Sequence, residues 1–124
     1  MDTRKDFVVK IVHRASGSTW DKNLDCKNPA IEGWATIKDS NKYAGTFSFW
    51  MNEDDEKETL HKVGTRAVEN ALEKICTDPN VTLPIEELEM KIMYSNKYND
   101  VYLLDDDCIS FIVQVAVFGD VVDL

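Results

Sequence analysis

Carboxylates are the side chains of this sequence with the most chemistry in reach, and they come in clusters. Glu53-Asp54-Asp55-Glu56, Glu86-Glu87 with Glu89, and Asp105-Asp106-Asp107 account for much of the acidity. Adjacent carboxylates can hold a cation, position a metal for hydrolysis, or meet a cationic protein surface. Calcium loops place their oxygens at alternate positions and use a Gly for the sharp turn. Asp105–Asp107, even with Asp100, has neither pattern, so no metal is expected. Glu89-Met90-Lys91 has the Glu-x-Lys spacing in which a carboxylate holds magnesium and a lysine aids the attacking water. A chain with 23 acids and 14 Lys/Arg produces that triplet by chance, and no partner acid on a preceding strand can be named.

Other reactive groups are scattered. His13 and His61 lack ligand spacing, and Cys26, Cys76 and Cys108 contain no Cys-x-x-Cys pair. There is no Gly-rich phosphate loop and no nucleophile elbow. The expectation is therefore a non-enzyme with no catalytic residue and no cofactor. An odd, widely spaced set of thiols implies a reduced intracellular setting, hence the cytoplasm. The longest apolar run, Ile109 to Phe118, is too short to span a bilayer, and the first residues do not read as a signal peptide, so no membrane partner is expected.

The third use of carboxylates fits the charge distribution. Residues 1–50 carry eight Lys/Arg against six Asp/Glu, while residues 51–124 carry six against seventeen, so nets of +2 and −11 make up the total of −9. Such a field selects basic partners. The residues expected to meet a basic protein surface are Glu53, Asp54, Asp55, Glu86, Glu87, Asp105, Asp106 and Asp107. DNA carries one charge per ~1.7 Å of its axis, and converging acidic clusters would imitate such a row. That implies a small acidic inhibitor or modulator of a nucleic-acid-handling protein, of the kind that phages and mobile elements encode and that works in the host cytoplasm. Ordinary helix capping and turn chemistry account for the same acids without any partner.

An alternative rests on rings. Trp34, Tyr43, Phe47, Phe49 and Trp50 fall on two adjacent predicted strands, with Lys38 and Lys42 at their turn. Trp34, Tyr43, Phe47 and Phe49, edged by Lys42, would make a base-stacking platform for single-stranded nucleic acid; equally, aromatic side chains fill cores. An even-numbered loop puts Trp34 and Thr36 with Phe47 and Phe49, and an odd one puts Trp34 with Trp50. The run Trp34-Ala35-Thr36-Ile37-Lys38, then Lys42-Tyr43-Ala44-Gly45-Thr46-Phe47-Ser48-Phe49, then acids and a helix, resembles the start of phage single-stranded-DNA-binding proteins of the OB-fold type. The resemblance covers about a third of the chain and implies nucleic-acid binding through that hairpin. The charge of −9 opposes it, because phosphate contacts supply most such affinity.

The elements that must position these residues follow from hydrophobic period. Residues 7–13 alternate as a strand, and residues 15–29 read as a loop. Strands at Ile31–Lys38 and Tyr43–Met51 form a hairpin. Asn52 is the expected cap of a long helix, with Leu60, Val63, Ala67, Ala71, Leu72 and Ile75 as its stripe and Thr77-Asp78-Pro79-Asn80 as its end. A strand at Glu89–Tyr94 and a hairpin of Val101–Leu104 with Cys108–Phe118 complete the reading. The expected fold is one α+β domain over residues 1–124. Its order is β-β-β-α-β-β-β, a mostly antiparallel sheet of five to six strands on one long helix. A second copy of the chain is a candidate cover for the sheet face that one helix leaves open.

Overall fold

The computed structural model describes residues 3–17, 29–41, 45–54, 56, 59–81 and 83–121. Among the described residues the chain is α+β, but with four helices and one three-stranded antiparallel sheet rather than five to six strands on a single helix. The elements are α1 (Arg4–Ser16), β1 (Ala35–Asn41), β2 (Thr46–Met51), β3 (His61–Gly64), α2 (Thr65–Thr77), α3 (Glu86–Tyr98), a 3₁₀ turn (Val101–Leu103) and α4 (Asp106–Phe118).

Three segments expected as strands are helices, each for a local reason. In α1, Phe7, Val8, Ile11, Val12 and Ala15 are buried, a helical spacing hidden within an apparent alternation. Thr3 caps this helix, its hydroxyl accepting from the Asp6 N–H at 3.2 Å, and Gly17 closes it at φ +79°. In α3 the buried residues are Leu88, Ile92 and Ser95, at steps of four and three, while Met90 and Tyr94 face outward. Helix α4 is apolar on nearly every side and touches α1, α2, α3 and β3, so its burial is central as expected although its backbone is not extended. Asp105 caps it and Gly119 ends it at φ +80°.

The expected long helix begins later than Asn52. Residues 61–64 pair with β2 as β3, and Gly64, in extended conformation, precedes the first turn of α2. Val68, Ala71, Leu72 and Ile75 form its buried stripe. Leu60 is exposed and Val63 belongs to the sheet.

The expected hairpin is present as β1 and β2 with different bounds: residues 31–34 form a turn, and residues 39–41, expected as part of its loop, belong to β1. Its register settles the face question in a way that neither loop parity does. Ala35 opposes Met51 and Ile37 opposes Phe49, then a shift between Ile37 and Asp39 sets Ser40 against Phe47. The bulge at Lys38 therefore exchanges the faces of β1 partway along. Trp34 lies in the turn before β1, outside the alternation, and packs edge-on against Phe49 at 5.5 Å. Helices α1, α2 and α4 cover the face carrying Phe47, Phe49 and Val63. The far face carries Thr36, Trp50 and Lys62, with the Lys38 ammonium 5.6 Å from the Trp50 ring. No helix among the described residues is long and apolar enough to cross a membrane.

Candidate functional site

Two of the three acidic clusters meet. Glu86, Glu87 and Glu89 occupy the first turn of α3, and Asp105 caps α4 with Asp106 and Asp107 behind it. Both helix starts carry the positive end of a backbone dipole, which is why carboxylates collect there. Lys91, one turn into α3, joins them: its Nζ lies 3.3 Å from Asp105 Oδ2 and 3.7 Å from Glu87 Oε1. On the other side Arg14 of α1 reaches Asp106 at 2.9 Å and also donates to the carbonyls of Leu104 and Val101. Of the six carboxylates, Glu87, Asp105 and Asp106 touch the two cations, and the Glu87 and Asp106 side chains are 77% and 74% exposed.

Asp105 is the most constrained of the six. Burial pushes its carboxyl up, but hydrogen bonds from Cys108 and the Lys91 ammonium outweigh that and hold it below its ordinary value. Lys91 is raised in return, first by its bond to Asp105. Beneath them Cys108 is fully buried; burial and the neighbouring Asp105 push its thiol up to about 12, so it is a core side chain and no nucleophile. Cys76 is half-buried and also raised, mainly by burial, with Asn96 Nδ2 3.5 Å from its sulfur. Cys26 lies outside the described residues.

The third cluster sits elsewhere. Glu53 and Asp54 follow β2 rather than starting a helix, and Asp54 accepts from the Thr59 N–H at 3.0 Å. Asp55 lies outside the described residues. Asn52, instead of capping, accepts from the Thr36 hydroxyl and donates its backbone N–H to Trp34 O. Likewise the Asp105–Asp107 triplet is a helix start, not the turn of a hairpin. Among the described residues no group of three or more His, Cys, Asp and Glu is placed to hold a metal. The Lys91 of the Glu-x-Lys triplet is turned toward Glu87 and Asp105.

Trp34, Phe47 and Phe49 are core, whereas Trp50 lies on the far face of the sheet and is half-buried. Trp34 is 8% exposed, Phe47 2% and Phe49 0%. The Trp34 indole N–H donates to Ser110 Oγ of α4 at 2.8 Å, and Phe49 stacks on His61, which in turn meets Phe118 edge-on at 5.4 Å. None of these three rings offers a free face to a base, and Lys42 and Tyr43 lie outside the described residues.

Sequence reasoning missed Lys91 and Arg14 as the residues that organise the acids, and it missed an apolar surface. Ile85, Met90, Met93, Tyr94, Tyr98, Tyr102 and Leu103 are exposed, and among the described residues Leu60 is the one large exposed apolar side chain outside this stretch. Met90, Tyr94, Tyr98 and Leu103 line a groove whose acidic end is Glu86 and Glu87. The spacing of Met90, Met93, Tyr94 and Lys97 carries that signal once the segment is read as a helix. Set against protein-family models, curated proteins and solved structures, the chain matches none.

Proposed function

We propose that this chain is a non-enzymatic binding protein that engages a basic protein surface through the acidic pole at the starts of α3 and α4. The observation that carries the reading is the bridge from Lys91 to both Glu87 and Asp105, which makes one patch of two clusters. Lys91 and Arg14 neutralise only part of that patch, and its outer carboxylates remain in water, where they speed encounter with a cationic partner and set specificity. A nucleic-acid-handling protein is the partner class that such a patch fits, since its phosphate-binding surface is cationic by requirement. The chain would then act as a modulator, occupying that surface in place of nucleic acid.

Competition tests this. Across a panel of basic DNA-binding proteins, the chain should displace labelled duplex DNA from at least one. The double variant D106K/D107K should displace it at least about tenfold less well, a loss of about 1.4 kcal/mol. Displacement that survives the reversal overturns the reading, as does direct binding of the oligonucleotide by the chain.

A further inference from the structure

The outward face of α3 carries an exposed stripe with acids at one end and a base at the other. Glu86, Met90, Met93 and Lys97 fall at steps of four, three and four, the seam spacing of a coiled coil, and Leu88, Ile92 and Ser95 hold the opposite side in the core. Met90 and Met93 are 49% and 45% exposed, and Tyr94 beside them is 53% exposed. A solvent-facing helix stripe of this kind marks an interaction surface rather than a solvated face. What distinguishes it is polarity along the axis: the acids are at its start and Lys97 is at its end.

We infer that this face binds a second copy of the chain, the two α3 helices lying antiparallel about a two-fold axis. In that register Glu86 meets Lys97 of the second copy, Met90 meets its Met93, and the same pairs recur in reverse order. A two-fold interface requires such self-complementarity, because each contact appears twice. Opposed helix dipoles favour the antiparallel sense, and a parallel pair would set Glu86 against Glu86 and Lys97 against Lys97. Methionine suits the centre because it packs adaptably against an identical partner. A 13-residue helix is only ~20 Å long, so one helix pair makes a small interface and a reversible, micromolar-order association. The pairing does not depend on the acidic-pole reading, but it would set two such poles at opposite ends of one assembly.

Sedimentation equilibrium of the full chain over roughly 1 μM to 1 mM reads the association directly. A monomer–dimer equilibrium is expected, weakened at least about fivefold by E86K and by K97E separately, since each sets like charges together at both ends. The double variant E86K/K97E regenerates the pair in reverse and should return the dissociation constant to within about twofold of the natural chain. Both positions are exposed, and far-UV circular dichroism checks that the variants fold. Monomer mass throughout the range overturns the inference. So does a double variant no better than the singles, which would leave the face to a partner of different sequence. D106K/D107K should leave the dimer mass unchanged, so a failure of the acidic-pole reading is seen separately from a failure here.

Discussion

Asp105 serves two partners with one carboxylate. Oδ1 accepts from the Cys108 N–H at 3.0 Å as the cap of α4, and Oδ2 accepts from Lys91 at 3.3 Å. Substitution separates the two. Asparagine caps nearly as well but cannot hold Lys91 by charge, whereas alanine does neither. D105A should therefore cost about 1 kcal/mol at pH 7. D105N should cost less, about 0.5 kcal/mol, because both partners of the ion pair are well exposed and water screens them. The folded carboxyl titrates below its ordinary value of 3.8, so its stabilisation is complete above that value and fades as pH falls through the depressed one. Lys91 has the opposite sign: its share is present below 10.5 and is lost as pH rises past its raised value. Urea denaturation at pH 7 and again near pH 3 checks the statement on Asp105, and a series carried above pH 10.5 checks that on Lys91. Equal costs for D105A and D105N at pH 7 would remove the cap, and a D105N deficit that persists undiminished at the lower pH would remove the charge.

At the scale of elements, the ends of the helices decide the fold as much as their faces do. Gly17 closes α1 at φ +79°, and a Cβ there would lie 2.9 Å from the ring and backbone nitrogen of Pro29. G17A should cost about 1–2 kcal/mol from the left-handed backbone alone, with the Pro29 contact adding to it. G33A, where a Cβ meets nothing within 4 Å, should stay within about 0.5 kcal/mol of the natural chain. Thermal melts of the pair check the contrast, and equal shifts would sink it. These ends also show what could be read beforehand. The β1–β2 hairpin was legible because Thr36, Ile37, Phe47, Phe49 and Trp50 are strand formers on either side of a polar turn. The body of α2 was legible because its other side is charged. Helix α4 was not, since Cys108, Ile109, Phe111, Ile112 and Val113 are all buried and a segment covered on every side has no period. Its length and its cap, Asp105 three residues before Cys108, were the better guides. Segments rich in Val and Ile favour a strand reading, and tertiary packing overrode it in α1 and α4. Of the candidate site, the acids were visible in the sequence, but their meeting was not. It depends on Lys91 reaching between two helices whose apolar patterns predict strands.

On the scale of the whole molecule, 23 acids against 14 bases leave a charge of −9 on 124 residues, and the folded state holds that charge in a smaller volume than the unfolded chain does. Two effects of salt compete. Screening weakens the bridges of Lys91 and Arg14, but Glu87 and Asp106 are largely exposed, and exposed pairs contribute only about 0–1 kcal/mol each. Screening also relieves repulsion among the carboxylates at the starts of α3 and α4 and along the rest of the surface. With the Debye length falling from ~30 Å at 0.01 M to ~8 Å at 0.15 M, repulsion across the molecule is suppressed before contacts at 3 Å are. Relief should win. The melting temperature should climb about 3–5 °C between 0.01 M and 0.2 M sodium chloride, the shift that roughly 1 kcal/mol produces at this size. Most of the gain should come below 0.1 M. Tryptophan-fluorescence melts at about 0.1 μM, well below a micromolar dissociation constant, read the effect free of self-association. A melting temperature that falls with salt would mean that Lys91 and Arg14 tie the acidic pole together more strongly than its net charge drives it apart. The patch would then be a structural clasp between α1, α3 and α4 instead of a surface held open for a partner.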